Sequence, residues 1–296
     1  MNGGKLFSRE IELVIDPKAG FCGGVKRAIR LVENSLESED DIFVRGELIH
    51  NEREMERLYR KGLKVCENLE SCPCQTLFIR THGETPQTYR QASGSGIEII
   101  DATCGNVRRS QEVISARAAE GKRIYIFGKK YHPEIIGLLG YCQGLGMVFQ
   151  DAEEIADKVL DEPSLLIPQT TADPVKFEIS RRRMSELISN LEVYNAICPF
   201  VSQREAELKK FAASYDAVIF VGGRHSSNTK VLFEVCKAAN PNTFFAEQPE
   251  ELPFERLLNF KSIGISGSAS TPMWQLEEIA EAIRSRTLKE VNNSIR

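Results

Sequence analysis

Short apolar runs separated by longer stretches of helical periodicity recur along the whole chain. The runs cover residues 12–15, 41–44, 76–79, 97–101, 123–128, 164–167, 191–197, 217–223 and 262–265, with a possible short extra one at 243–245. Most are continuously apolar rather than alternating, as strands buried in parallel sheets are. Apolar positions three and four apart predict helices near 25–38, 52–61, 107–120, 135–141, 175–189, 200–214, 230–239 and 273–284. Residues 1–10 read as a loose lead-in and the segment after 284 as a frayed tail. Strands alternating with helices predict an α/β fold with parallel sheets.

The pattern repeats. A strand ends near Cys22, Cys104 and Cys198, and each cysteine is followed at once by a helix. Cys22 to His50, Cys104 to His132 and Cys198 to Ser226 are each 28 positions apart. A repeat of about 90 residues is too long for a solenoid unit and suits small βαβ lobes. The expected architecture is three pseudo-equivalent, Rossmann-like lobes, each a short parallel sheet flanked by helices. Their bounds are 11–96, 97–190 and 191–286. Right-handed crossovers put the carboxyl ends of parallel strands on one edge, so each lobe presents a cysteine turn, a +28 turn and a third-strand turn together.

Composition narrows the chemistry. A net charge of −4 over 296 residues argues against nucleic acid as the main partner, which needs a basic face. Arg181, Arg182 and Arg183 read as a solvated helix face. No apolar stretch reaches the roughly 18 residues that span a bilayer, and no signal-peptide core is visible, so a cytoplasmic address is expected. Eight cysteines in such a chain point to metal or redox chemistry rather than disulfides.

Three thiols at equivalent strand-to-helix turns suit zinc, copper(I) or an iron–sulfur cluster, and three thiolates leave one metal position open. Three buried cysteines packed as small hydrophobes are the plain alternative. Cys66, Cys72 and Cys74 form a C-x5-C-x-C group in a loop-like stretch, where incidental thiols compete with a small metal site; Cys142 and Cys236 read as core. All four histidines, His50, His82, His132 and His225, fall at strand-end turns. Without metal-binding spacing they suit an anion. Together with Ser226, Ser227, Asn228 and Ser270 they offer many donors, which fits a diphosphate. No phosphate-binding glycine loop of the nucleotide type is present. Gly222 and Gly223 would let backbone approach a ligand closely, or serve as plain turn glycines. Glu134, two residues after His132, would sit in a negative field that raises a carboxyl pKa and suits proton donation; capping of the next helix is the bland reading. Thr170 could relay that proton or hold a substrate hydroxyl.

Nine motifs now stand in order: 19-AGFCGGV-25, Ile49-His50-Asn51, Thr81-His82-Gly83, 101-DATC-104, His132-Pro133-Glu134, Gln169-Thr170-Thr171, Ile197-Cys198, Ser226-Ser227-Asn228 and 269-ASTP-272. Over residues 12–284 the chain resembles the 4-hydroxy-3-methylbut-2-enyl diphosphate reductase family, which acts last in the methylerythritol phosphate route to isoprenoids. The resemblance implies a cloverleaf of three α/β lobes around a 4Fe–4S cluster held by Cys22, Cys104 and Cys198. It implies that His50, His82, His132, Ser226, Ser227, Asn228 and Ser270 hold the diphosphate. Thr170 would contact the substrate hydroxyl, and Glu134 would supply the proton. A ferredoxin or flavodoxin would deliver electrons. Gly105 stands where the family usually has proline, the run from Pro199 to Glu205 is unusual, and His225 replaces a small polar residue. A three-cysteine cluster dehydratase and a cluster-bearing redox sensor are the rivals. The former would want paired arginines for a carboxylate, the latter a DNA-binding or partner module.

Overall fold

The computed structural model describes residues 11–38 and 42–294, with the side chains of Ser202, Ser227 and residues 290–294 left out. The lead-in expected over 1–10 therefore lies outside the described residues. Among the described residues the strands are β1 (Glu12–Ile15), β2 (Ile42–Val44), β3 (Lys64–Val65), β4 (Thr76–Ile79), β5 (Glu98–Asp101), β6 (Arg123–Phe127), β7 (Gly146–Phe149), β8 (Ser164–Pro168), β9 (Leu191–Val193), β10 (Ala217–Val221), β11 (Thr243–Ala246) and β12 (Ser262–Gly267). The α-helices are α1 (Gly23–Ser38), α2 (Glu52–Arg60), α3 (Pro86–Gly94), α4 (Gly105–Ala119), α5 (Pro133–Tyr141), α6 (Pro174–Leu187), α7 (Pro199–Ala213), α8 (Ser227–Ala239), α9 (Phe254–Leu257) and α10 (Met273–Ser294).

The chain divides into two compact units. The first takes in the segment up to Cys22, His50–Glu54 and everything from Gln203 on. It holds one four-stranded parallel sheet, ordered β1-β12-β10-β11. Ile219, Val221, Ile263 and Ile265 pack there against Leu276, Ile279, Ala280 and Ile283 of α10. The second unit takes in Gly23–Ile49 and Met55–Ser202. It holds two four-stranded parallel sheets, β3-β2-β4-β5 and β7-β6-β8-β9. The interior strands β4 and β8 are buried along their whole length, which is why, after Thr76 and Ser164, their runs are continuously apolar rather than alternating.

All three sheets share one strand order once the first is read backwards, β11-β10-β12-β1. The cysteine-bearing strands do not lie where the sequence places them. β1, β5 and β9 each pair with the strands that precede them in the repeat and form the free edge of that sheet. The lobe bounds 11–96, 97–190 and 191–286 therefore cut each sheet before its last strand. Two physical reasons account for the shift. Glu12, Glu98 and Glu192 sit on these strands, and a half-exposed edge accommodates carboxylates that an interior strand excludes. The following helix also leaves the parent sheet: α4, after Cys104, packs on β6 and β8.

Helix starts follow local chemistry. Thr85, His132, Asp173 and Ser226 cap α3, α5, α6 and α8 with their side chains, and proline takes the first position of α3, α5 and α6. The sequence reading missed α3, although Thr85-Pro86 is its start signal, because its body is polar. It also missed the edge strands β3 and β7. The tail expected to fray after 284 continues α10 to Ser294.

Within the first unit, Asp16 and Arg204 form an ion pair with both side chains almost wholly buried, and Ser266 donates to the same Asp16 oxygen at 2.9 Å. Removing the cation would strand a buried carboxylate. Arg204→Met is expected to lower the unfolding free energy by about 3–5 kcal/mol, read from denaturant midpoints, with part recovered by adding Asp16→Asn. Equal midpoints for parent and Arg204→Met would contradict this.

Candidate active site

In the second unit the turns at the carboxyl ends of β4, β5, β6, β8 and β9 are tied into one closed circuit. The Cys104 N–H donates to Thr81 O at 3.0 Å, and Cys104 is the N-cap of α4. Beside Thr81, the His82 ring meets the His132 ring edge to face, with centroids 5.3 Å apart. His132 caps α5: its Nδ1 accepts the Glu134 N–H at 3.1 Å. That bond makes Nδ1 the acceptor and leaves the Nε2 position to carry the proton of the neutral ring. The Glu134 carboxylate accepts the Thr170 N–H and the Thr170 hydroxyl, each at 2.7 Å. Thr170 O in turn accepts the Cys198 N–H at 2.8 Å. Finally Asn106, in the first turn of α4, donates its Nδ2 to Cys198 Sγ at 3.2 Å, which returns the circuit to the Cys104 turn.

Glu134 is 2% exposed, and its carboxylate oxygens face the two Thr170 donors. Burial pushes its carboxyl up to about 7, against the lowering effect of the Thr170 bonds. The group therefore holds a dissociable proton near neutral pH, which is what a general acid requires.

The first unit gathers the other set of donors. The Cys22 N–H donates to Ala269 O at 3.1 Å, and the chain enters α1 at the next residue. Adjacent Ser270 donates its hydroxyl to His50 O at 3.4 Å, and Asn51 Nδ2 donates to Ser270 O at 3.0 Å. Ser270 Oγ lies 3.2 Å from Ser268 Oγ, which accepts the Thr229 hydroxyl at 2.9 Å. Ser226 caps α8 by accepting the Thr229 N–H, and its hydroxyl is buried. Asn228 lies in the first turn of that helix, with both amide atoms buried and no partner. Ser227 opens α8, but its side chain lies outside the described residues.

Gly223 has a tighter reason than ligand approach. A Cβ there would fall 2.6 Å from His50 O, so the glycine admits the His50 turn rather than a ligand. His225 is exposed and pairs with Glu52 at 3.2 Å, which draws it away from the buried donors. Two positioning residues escaped the sequence reading. Asn106 was visible only as a polar residue two places after Cys104. Asn51 stood inside the Ile49-His50-Asn51 motif without a role; its buried amide fixes both the Ser270 turn and, through Gln275, the start of α10.

The three thiols share one setting. Each half-buried cysteine directly precedes or caps the N-terminal end of a helix of fifteen or sixteen residues, where the positive end of the helix dipole lies. All eight cysteines are free.

Among the described residues no helix is long and apolar enough to cross a membrane. Residues 13–284 match the profile of the family described as LytB protein. A 4-hydroxy-3-methylbut-2-enyl diphosphate reductase from Aquifex aeolicus is 36% identical over 278 residues, covering 93% of this chain and 96% of its own length. The protein of the same name from Phocaeicola vulgatus is 38% identical over 283 residues, covering 92% and 98%. A solved structure described as (E)-4-hydroxy-3-methyl-but-2-enyl diphosphate reductase, the terminal enzyme of the non-mevalonate pathway, superposes with a TM-score of 0.74 at 35% identity, covering 93% of this chain and 100% of that one. The Plasmodium falciparum reductase structure superposes with a TM-score of 0.82 at 25% identity, covering 92% and 87%. A profile match over nearly the whole length, with full-length relatives of one name, shows that the chain belongs to the LytB protein family and is an oxidoreductase.

Proposed function

We propose that the chain reduces 4-hydroxy-3-methylbut-2-enyl diphosphate to isopentenyl and dimethylallyl diphosphate, the last step of the methylerythritol phosphate route. The observation that carries this reading is Glu134: a buried carboxyl raised to about 7, within a circuit of contacts that includes two of the three turn cysteines. Cys22, Cys104 and Cys198 are the proposed ligands of one 4Fe–4S cluster. Their donor chemistry fits it: three free thiols at helix N-termini, one of them receiving an N–H···S bond of the kind that tunes such clusters. When bound, a cluster with one iron free of protein ligands supplies single electrons and a Lewis acid.

The reaction takes up two electrons and two protons, breaks one C–O bond and releases water. The chain's own residues position and protonate. Thr170 directs its hydroxyl to Glu134 and is the proposed holder of the substrate hydroxyl. Glu134 delivers a proton from its carboxyl oxygen. His50, His82, His132, Ser226, Ser227, Asn228 and Ser270 are the proposed diphosphate donors. The unpartnered Asn228 amide supports that assignment. A ferredoxin or flavodoxin is the proposed electron donor, in a reducing, cytoplasmic setting that eight free thiols suit.

The decisive experiment is an anaerobic assay of the iron-loaded protein with this substrate and a reduced one-electron dye. Both five-carbon diphosphates are expected. Consumption of a hydroxy acid in place of the diphosphate, or no turnover by protein with a full iron complement, would overturn the proposal. Loss of one hydrogen bond to a charged group gives the scale for Asn228→Ala. Its KM should rise roughly 10- to 100-fold at unchanged iron content. An unchanged KM would remove Asn228 from the diphosphate site.

A further inference from the structure

We infer that Cys66, Cys72 and Cys74 form a second metal site, separate from the three turn cysteines, that binds a zinc ion. Their Sγ atoms all lie within 4.8 Å of one another. Tetrahedral zinc with bonds of about 2.3 Å sets its sulfurs about 3.8 Å apart, so the existing thiols need to close by no more than about 1 Å.

The loop geometry brings this about. Cys66 follows the two-residue strand β3, and its N–H is fixed to Val44 O at 2.9 Å. Asn68 caps the single 3₁₀ turn Leu69–Ser71 by accepting the Glu70 N–H, and the Cys72 N–H closes that turn on Leu69 O. Beyond Pro73, Cys74 lies beside Cys66 just ahead of β4. Cys66 and Cys74 are buried, and Cys72 is half-buried, which leaves solvent access for a fourth, water ligand.

Packing alone explains a buried cysteine, but not three sulfurs converging from a nine-residue loop. On binding, the three thiols give up three protons and three sulfur–zinc bonds form. No oxidant is needed, and the ion would pin a strand whose two residues are otherwise exposed.

The test equilibrates the full-length, iron-loaded protein with one equivalent of zinc chloride, removes excess by gel filtration, and measures metal content and zinc-edge X-ray absorption. Expected are about one zinc per chain and a shell of three sulfurs at about 2.3 Å with one lighter atom. Calorimetry in buffers of different ionisation enthalpy should show about three protons released. Cys66→Ser and Cys74→Ser should lose the zinc and keep the iron. The triple variant Cys22→Ser/Cys104→Ser/Cys198→Ser should keep the zinc and lose the iron. A nitrogen- or oxygen-only shell, zinc lost from that triple variant, or no zinc retained by the parent would each overturn the site. The absorption measurement on the parent is informative even if a loop variant misfolds.

Discussion

Glu134→Gln is expected to turn over about 10²- to 10⁴-fold more slowly than the parent, with its iron content unchanged. Glutamine keeps an oxygen for the Thr170 N–H and an amide that can engage the Thr170 hydroxyl, so the circuit of turns survives while the dissociable proton is lost. The parent's pH profile carries the same information. A carboxyl raised to about 7 is protonated below that pH, so kcat/KM should fall as pH rises through about 7, and the variant should lack that limb. Stability follows with the same sign. The folded state binds more protons than the unfolded one between the ordinary value of 4.5 and about 7, so this group's contribution is present at low pH and lost as pH rises through about 7. Urea midpoints of the parent should therefore decline across that window relative to Glu134→Gln. Near-normal turnover by the variant would remove Glu134 from proton delivery.

Cys22→Ser, Cys104→Ser and Cys198→Ser should each abolish reductase turnover by removing the iron, whereas Cys74→Ser should keep both iron and activity. A serine oxygen is a poor substitute for a soft sulfur donor toward iron in a sulfide cluster. Iron and acid-labile sulfide counted after anaerobic purification check this directly. A full iron complement in any of the three would refute that cysteine as a ligand, and iron loss in Cys74→Ser would blur the separation from the loop site. Each serine is close to isosteric with its cysteine, and none of the three positions is fully buried, so a collapse of the fold is not the expected route to loss.

The buried runs 76–79, 164–167 and 217–221 were legible as parallel strands because both of their faces are covered. The cysteine strands were legible as strands but not as members of a particular sheet. Nothing in the sequence reveals whether a crossover helix returns to the sheet it left, and α4 does not. The edge glutamates Glu12, Glu98 and Glu192 were the available clue, and they were read as part of an apolar run. In the candidate site, Glu134 and Thr170 were legible as turn residues, and a proton relay between them was one of two readings for Thr170; the sequence could not choose between those readings, since 36 positions separate the pair. Asn106 and Asn51 could not be singled out, because a positioning amide has no spacing signature of its own. Gly223 was noticed for close approach, and only the structure shows that the approaching group is the chain's own His50 carbonyl.

The completion of the first unit's sheet by β1 has a bearing on synthesis. Glu12 pairs with Ser262, 250 positions later, so the N-terminal strand leaves the ribosome long before its partner is translated. Both sheets of the second unit can assemble during that interval from strands already made, while β1 waits with its backbone donors and acceptors open. Closing so distant a pairing is expected to be slow. A nascent chain stalled before residue 262 would hold two finished sheets, the β10–β11 pair and one unmatched strand, β1, the species that chaperones would meet.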